Sequence, residues 1–379
     1  MARGFRERVV FDPDCCLGGN EAEARARDAS QPLELNGVTF SGKDGKDFTL
    51  ATLDALYPGA LAGMFDPARH IFCASHTHYA PMIDANKGLV GRYSRESCER
   101  WKLAFAERKA EPVAFDKCRL LAACVPVQVY RRMDYPRHSL NRFLNARVGL
   151  FPNDGLAIDQ QVYVWLFEAG STPQFAMVYH AGHPVSRHSS LSISPDYVGV
   201  IRSAIREKWS DMPVLFLQGC GADLRPRIVG RRISRLPFFW LNKKFVAPPS
   251  SQQQAWIDDS YRTAIESLEV VESFACEPSD VVLDSATVGL RAQGDIEYPV
   301  IRFGDAFRFD FLPFEVSHLF HLRERNHDRS RFLVSCCGDT IGYLPHPSQL
   351  PFGGYEVDGS RKYMNLEDRV EIQSADFRI

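Results

Sequence analysis

Short apolar runs, each closing on glycine, histidine or an acidic residue, recur along this chain: "HIFCASHTH", "QQVYVWLFEAG", "QFAMVYHAGHPVS", "PVLFLQGCGAD", "FRFDFLPFE" and "RFLVSCCGD". Their length and their β-branched and aromatic content predict strands. Between them the period lengthens. Residues 197–209 ("YVGVIRSAIREKW") and 253–271 ("QQAWIDDSYRTAIESLEVV") place apolar side chains at helical spacing. Interleaved strands and helices predict an α/β domain with a mixed sheet. With 379 residues and 45% hydrophobic positions, the chain can bury a large core. No internal repeat divides it, so 1–379 reads as a single domain.

Charge and cysteine content narrow the classes of function. A formal net charge of −2 gives no reason to expect a nucleic-acid partner. The start, "MARGFRERVVFDPDCC", lacks the apolar core of a signal peptide. No run reaches the ~18 apolar residues of a membrane span. The ten cysteines contain no CxxC, and Cys73 and Cys220 sit inside apolar runs as buried thiols do. A soluble, reducing, cytoplasmic setting is expected. One segment is biased: from Arg225 to Ile257 there is no acidic residue, and basic side chains flank "LPFFWL" at 236–241. That combination suits weak contact with a membrane surface or acyl chain; an inserted loop or helix packing Phe238 and Trp240 inward is the blander reading.

The histidines carry the candidate chemistry. His76 and His78 follow an apolar run at i, i+2 spacing, which on a strand points both to one face. His183 closes a second run in "VYHAGHPVSRH", beside His180 and His188. Two strand ends each offering an imidazole suit zinc. Three or four ligands are needed, however, and spacing alone leaves the rest open among Glu315 and many Asp, Glu and Tyr residues.

Taken in order, five blocks resemble the neutral/alkaline (non-lysosomal) ceramidase family: "SHTHYAP", "NRFLNARVGLFPNDGLAIDQQVYVWLF", "GHPVS" with "SPDYVG", "FLQGCGADLRP", and "GDTIGYLPHPSQLPFGGYEV". The resemblance implies that family's catalytic-domain fold and one zinc ion held by His76, His183, Glu315 and Tyr343. It makes His78 the proton-transferring neighbour and Arg142 and Tyr355 the donors to an oxyanion. Asp196 and Asp223 become orienting residues behind the ligands, or equally helix caps and turn formers. The implied reaction is attack of a metal-activated water on an amide carbonyl.

The departures bear on the substrate. Arg225 stands where the family's Gly-Asp-x-Ser-Pro block has serine, so it faces either an anionic substrate group or solvent. Fewer residues precede the His-x-His block than in the family, and its leading strand pair looks eroded. The chain stops soon after "GGYEV", so no C-terminal immunoglobulin-like domain is expected. The leading expectation is a zinc-dependent amidohydrolase acting on a non-ceramide N-acyl small molecule or lipid-like compound. Ester cleavage, acyl transfer or cyclisation in biosynthesis by the same site is a second reading, and a non-catalytic amphiphile-binding protein a third.

Overall fold

The run "VYVWLF" is apolar at every position rather than alternating, and its strand, Gln161–Ala169, shows why: both faces are covered. Tyr163, Trp165 and Phe167 point into one core cluster, whereas Val162, Val164 and Leu166 point into another. The structure is a computed structural model and describes residues 1–12, 14–19, 24–42, 45–135, 147–187, 191–231 and 243–373.

Three sheets surround the first core. One five-stranded sheet runs in the order His70–Ala74, Asp47–Leu53, Leu33–Ser41, Ala2–Val9, Glu111–Val113. A second runs Val214–Gln218, Thr172–His180, Gln161–Ala169, Lys117–Cys124, Glu269–Ala275. A four-stranded sheet, Val281–Leu290, Gly294–Phe303, Phe307–Phe311, Arg331–Val334, closes the third side. Their facing side chains form one aromatic-rich cluster that includes Phe40, Trp165, Phe303, Phe309 and Phe332. Helices cover the outer faces. Tyr197–Lys208 and Ser251–Glu266 pack Ile201, Ile205 and Tyr261 on the second sheet, and Arg95–Ala106 packs Trp101 and Phe105 on the first. The mixed α/β expectation therefore holds. Among the described residues, no helix is long and apolar enough to cross a membrane.

Two expectations need correction. The helix expected over 253–271 spans Ser251–Glu266, and Glu269–Ala275 is a strand. Its Val270 and Val271 are exposed on a sheet edge, so their helical spacing was coincidental. The leading strand pair is intact rather than eroded. Ala2–Val9 runs antiparallel to Leu33–Ser41 from Ala2↔Phe40 to Val9↔Leu33. Arginines in "ARGFRERV" masked the alternation; Arg3 is paired with Asp47 and Arg6 with Glu34. The stretch "LPFFWL", with Phe238 and Trp240, lies outside the described residues, as does His188.

A charged knot ties the first sheet to the helix Tyr197–Lys208. Arg206 grips Glu34 through both terminal nitrogens at 2.9 and 2.8 Å, and Arg202 bonds Asp54. Burial disfavours a charge on Glu34, but Arg202 and Arg206 outweigh it and hold the carboxyl far below its usual 4.5. The folded pKa thus lies below the unfolded one, so the stabilisation is complete above about 4.5 and fades as pH falls below it. Glu34→Gln is expected to lose roughly 2–3 kcal/mol at pH 7 and visibly less near pH 3. Urea midpoints at the two pH values check this; an equal loss at both would contradict it.

Candidate functional site

Two parallel strand pairs deliver their carboxyl ends to one place. His70–Ala74 lies beside Asp47–Leu53, and Thr172–His180 beside Val214–Gln218. Beyond those ends stand His76 and His78 from the first pair and His183 from the second, where α/β folds place their chemistry. His76 has φ +63°, a left-handed conformation uncommon outside glycine and a mark of functional positions.

Each ring is anchored by its Nδ1 on a backbone carbonyl: His76 on Leu56 (3.0 Å), His78 on Gly19 (3.0 Å), His183 on Gly221 (3.3 Å). A carbonyl only accepts, so each Nδ1 carries the hydrogen, and in the neutral ring each Nε2 turns a lone pair inward. His78 Nε2 and His183 Nε2 are 3.1 Å apart, and His76 Nε2 is 3.3 Å from Glu315 Oε2. Buried as they are, His76 Nε2 and Glu315 Oε2 make no hydrogen bond among the described residues. Facing lone pairs and a carboxylate in a buried pocket need a cation or proton between them. Ligand atoms of His76, His78 and His183 all lie within 4.8 Å of one another, a group able to hold a metal ion.

Glu315 and Tyr343 meet through strand register. Phe314–Val316 and Gly342–Leu344 pair in parallel with Glu315 opposite Tyr343. Tyr57, not anticipated from sequence, donates its hydroxyl to Glu315 Oε1. Burial pushes the Glu315 carboxyl up, but His76, Tyr57 and Tyr343 together hold it down at about 2. Burial opposes charge on His76 as well, yet Cys336 and Glu315 carry it well above the usual 6.5. Glu315 is the effective partner, because burial keeps the Cys336 thiol neutral. Burial, reinforced by charge on His76, pushes His78 down to about 3 and His183 well below its ordinary value. Imidazole nitrogen, carboxylate and phenol oxygen make a donor set that fits zinc or a similar divalent ion.

Arg142 lies outside the described residues. The arginine that the structure brings to the site is Arg131, on the strand Gln128–Asp134 and unanticipated from sequence. Its guanidinium lies 6.0 and 5.5 Å from the rings of Tyr343 and Tyr355. Nε donates to Glu356 Oε1 at 2.8 Å, and Arg132 bonds the other oxygen of the same carboxylate. Arg131 Nη2 is buried with no hydrogen-bond partner among the described residues. Arg131, His78, His183, Tyr343, Tyr355 and Arg225 all line one cleft of about 620 Å³.

Asp196 and Asp223 are fully buried and hold backbone segments. Asp196 caps the helix Tyr197–Lys208, accepting from Tyr197 N (2.5 Å), and fixes Ser186 N (2.6 Å) just after His183. Asp223 accepts from Ser317 Oγ (2.5 Å), His318 N (2.7 Å) and Gln349 Nε2 (2.7 Å), bracing the segment that follows Glu315.

No protein-family model and no curated protein sequence matches this chain. Solved structures do. It is similar to neutral ceramidase from Pseudomonas aeruginosa, with a TM-score of 0.60 and 13% identity over 90% of this chain and 68% of that one. It is also similar to a structure described as ceramidase complexed with C2, with a TM-score of 0.63 and 12% identity over 94% of this chain and 71% of that one. Three sheets, the paired parallel strand ends and the likeness over nine-tenths of the chain lead to one conclusion: this chain has the neutral ceramidase fold, with a three-histidine group at the carboxyl ends of its parallel strands.

Proposed function

We propose that the chain is a zinc-dependent hydrolase that cleaves an N-acyl amide bond on a small-molecule or lipid-like substrate. The observation that carries the reading is the inward convergence of three imidazole Nε2 atoms, each locked by its Nδ1 on a backbone carbonyl, beside a Glu315 oxygen with no hydrogen bond among the described residues. His76, His183, Glu315 and Tyr343 would hold the ion, which supplies Lewis acidity and an activated water.

The remaining roles belong to the chain itself. Arg131 offers a buried Nη2–H that no other described residue uses, and Tyr355 a phenolic O–H on the same cleft. Fixed donors of this kind stabilise the negative charge that develops on a carbonyl oxygen under attack. Glu356 holds Arg131 in place, so this donor needs no reorganisation. His78, pinned through Nδ1, keeps Nε2 on the cleft, where it would take a proton from the attacking water and pass it to the departing amine nitrogen. The solved structures that share the fold are ceramidases, and that activity supports an amide substrate here.

The test is release of free amine from a panel of N-acyl amides and matched esters, before and after metal removal by a chelator. Amide turnover that disappears on chelation and returns with zinc is expected; turnover indifferent to metal removal would sink the reading. His78→Ala should keep its metal and lose about 10²–10⁴ in kcat, the usual worth of a positioned acid–base group. If it loses metal as fully as His183→Ala does, His78 is a ligand and the division of roles is wrong.

A further inference from the structure

Strand register sets a second arginine beside the first. Leu224–Pro226 pairs antiparallel with Gln128–Asp134, and Arg225 stands opposite Val129. Residues two apart on a strand share a face, so Arg225 and Arg131 are diagonal neighbours on the face that borders the cleft, and both line it. Their electrostatic situations differ. Arg131 is paired with Glu356, which it shares with Arg132. Arg225 lies over the Phe245 ring at 5.2 Å and makes no ion pair or side-chain hydrogen bond among the described residues. The described residues that line the cleft include no Asp or Glu at all.

A guanidinium in this setting is costly to hold. Burial and the neighbouring Arg131 push its pKa down to about 10. The planar fork of arginine matches a carboxylate through two parallel N–H···O bonds. Among the described residues that line the cleft, Arg225 is the guanidinium without a carboxylate partner, and a single carboxylate supplies one. The rest of the cleft wall contains Leu150, Val185, Ala247 and Pro248, which suit an apolar chain.

We propose that Arg225 is a specificity-determining residue that binds a carboxylate on the substrate, so that the preferred substrates are N-acyl compounds carrying a free carboxylate, such as N-acyl amino acids. This deepens the hydrolase reading and uses the same cleft, but the binding claim stands or falls separately.

The probe is 4-oxoundecanoate, which replaces the amide nitrogen of N-octanoylglycine with carbon, compared with its neutral carboxamide. Isothermal titration of the full, metal-loaded chain measures both. Wild type is expected to prefer the carboxylate by about tenfold or more, as a charge-assisted pair is worth. Arg225→Gln should reduce that preference to within about threefold, and Arg225→Lys, which keeps the charge, should retain part of it. Equal affinities in wild type, no carboxylate binding, or a preference that survives Arg225→Gln would overturn the inference. Kinetics on N-octanoylglycine and N-octanoylglycinamide separate the two claims. A binding preference without hydrolysis of either compound would remove the hydrolase reading and leave Arg225 as assigned.

Discussion

His183→Ala is expected to remove metal retention and turnover together, lowering kcat/KM by about 10³-fold or more. The size follows from what the site loses. The ring contributes one of three inward Nε2 atoms, and its neighbour His78 Nε2 stands only 3.1 Å away. Without it, no pair of protein lone pairs closes around a cation on that side, and the Lewis acidity of a bound ion is worth several kcal/mol of barrier. The fold should survive. The backbone bond from Val185 N to His183 O does not depend on the side chain, and Gly221 loses only one accepted hydrogen bond. Metal analysis, turnover and a melting curve on the same sample check all three points. A variant that keeps its metal would show that the convergence of rings is not the metal centre.

Glu356→Ala is expected to cost the most stability, about 3–5 kcal/mol, the usual penalty for stranding buried charge. Glu356 is 2% exposed and is shared by Arg131 and Arg132, both themselves buried. Removing it leaves two guanidinium groups without a carboxylate and releases Arg131 from its position beside Tyr343 and Tyr355. Arg131→Met should behave differently. Glu356 keeps Arg132, which also donates to Gly353 O at 2.7 Å, so the stability loss is smaller. Its kcat should nonetheless fall about 10²–10³-fold, as loss of one oxyanion donor does. Urea unfolding and kinetics on the pair decide the matter. A larger stability loss in Arg131→Met than in Glu356→Ala, or a kcat near wild type in Arg131→Met, would contradict the roles given to these residues.

Much of this was legible in the chain because the strands of the second sheet are covered on both faces and so read as unbroken apolar runs. His76, His183, Glu315 and Tyr343 stand at or in short strands whose ends carry recognisable blocks, and the structure brings His76 to Glu315 and both to the neighbourhood of His78 and His183. Arg131 was hidden for a physical reason. In "YRRMDY" an arginine on a strand reads as solvent-facing, and only docking of Glu356, far along the sequence, makes its burial affordable. Tyr57 sits in an irregular stretch with no periodicity to mark it, and its role depends on Glu315 arriving from the other end of the chain. The first strand was obscured by arginines whose carboxylate partners lie on other elements.

The most direct measurement is metal content by elemental analysis of protein purified without added metal, comparing wild type with His76→Ala. His76 Nε2 is the inward nitrogen that contacts Glu315, so it joins the histidine group to the carboxylate. About one zinc per chain in wild type, lost in the variant, is the predicted result. No metal in wild type even after zinc is offered, or equal metal in both proteins, would contradict the account at its centre.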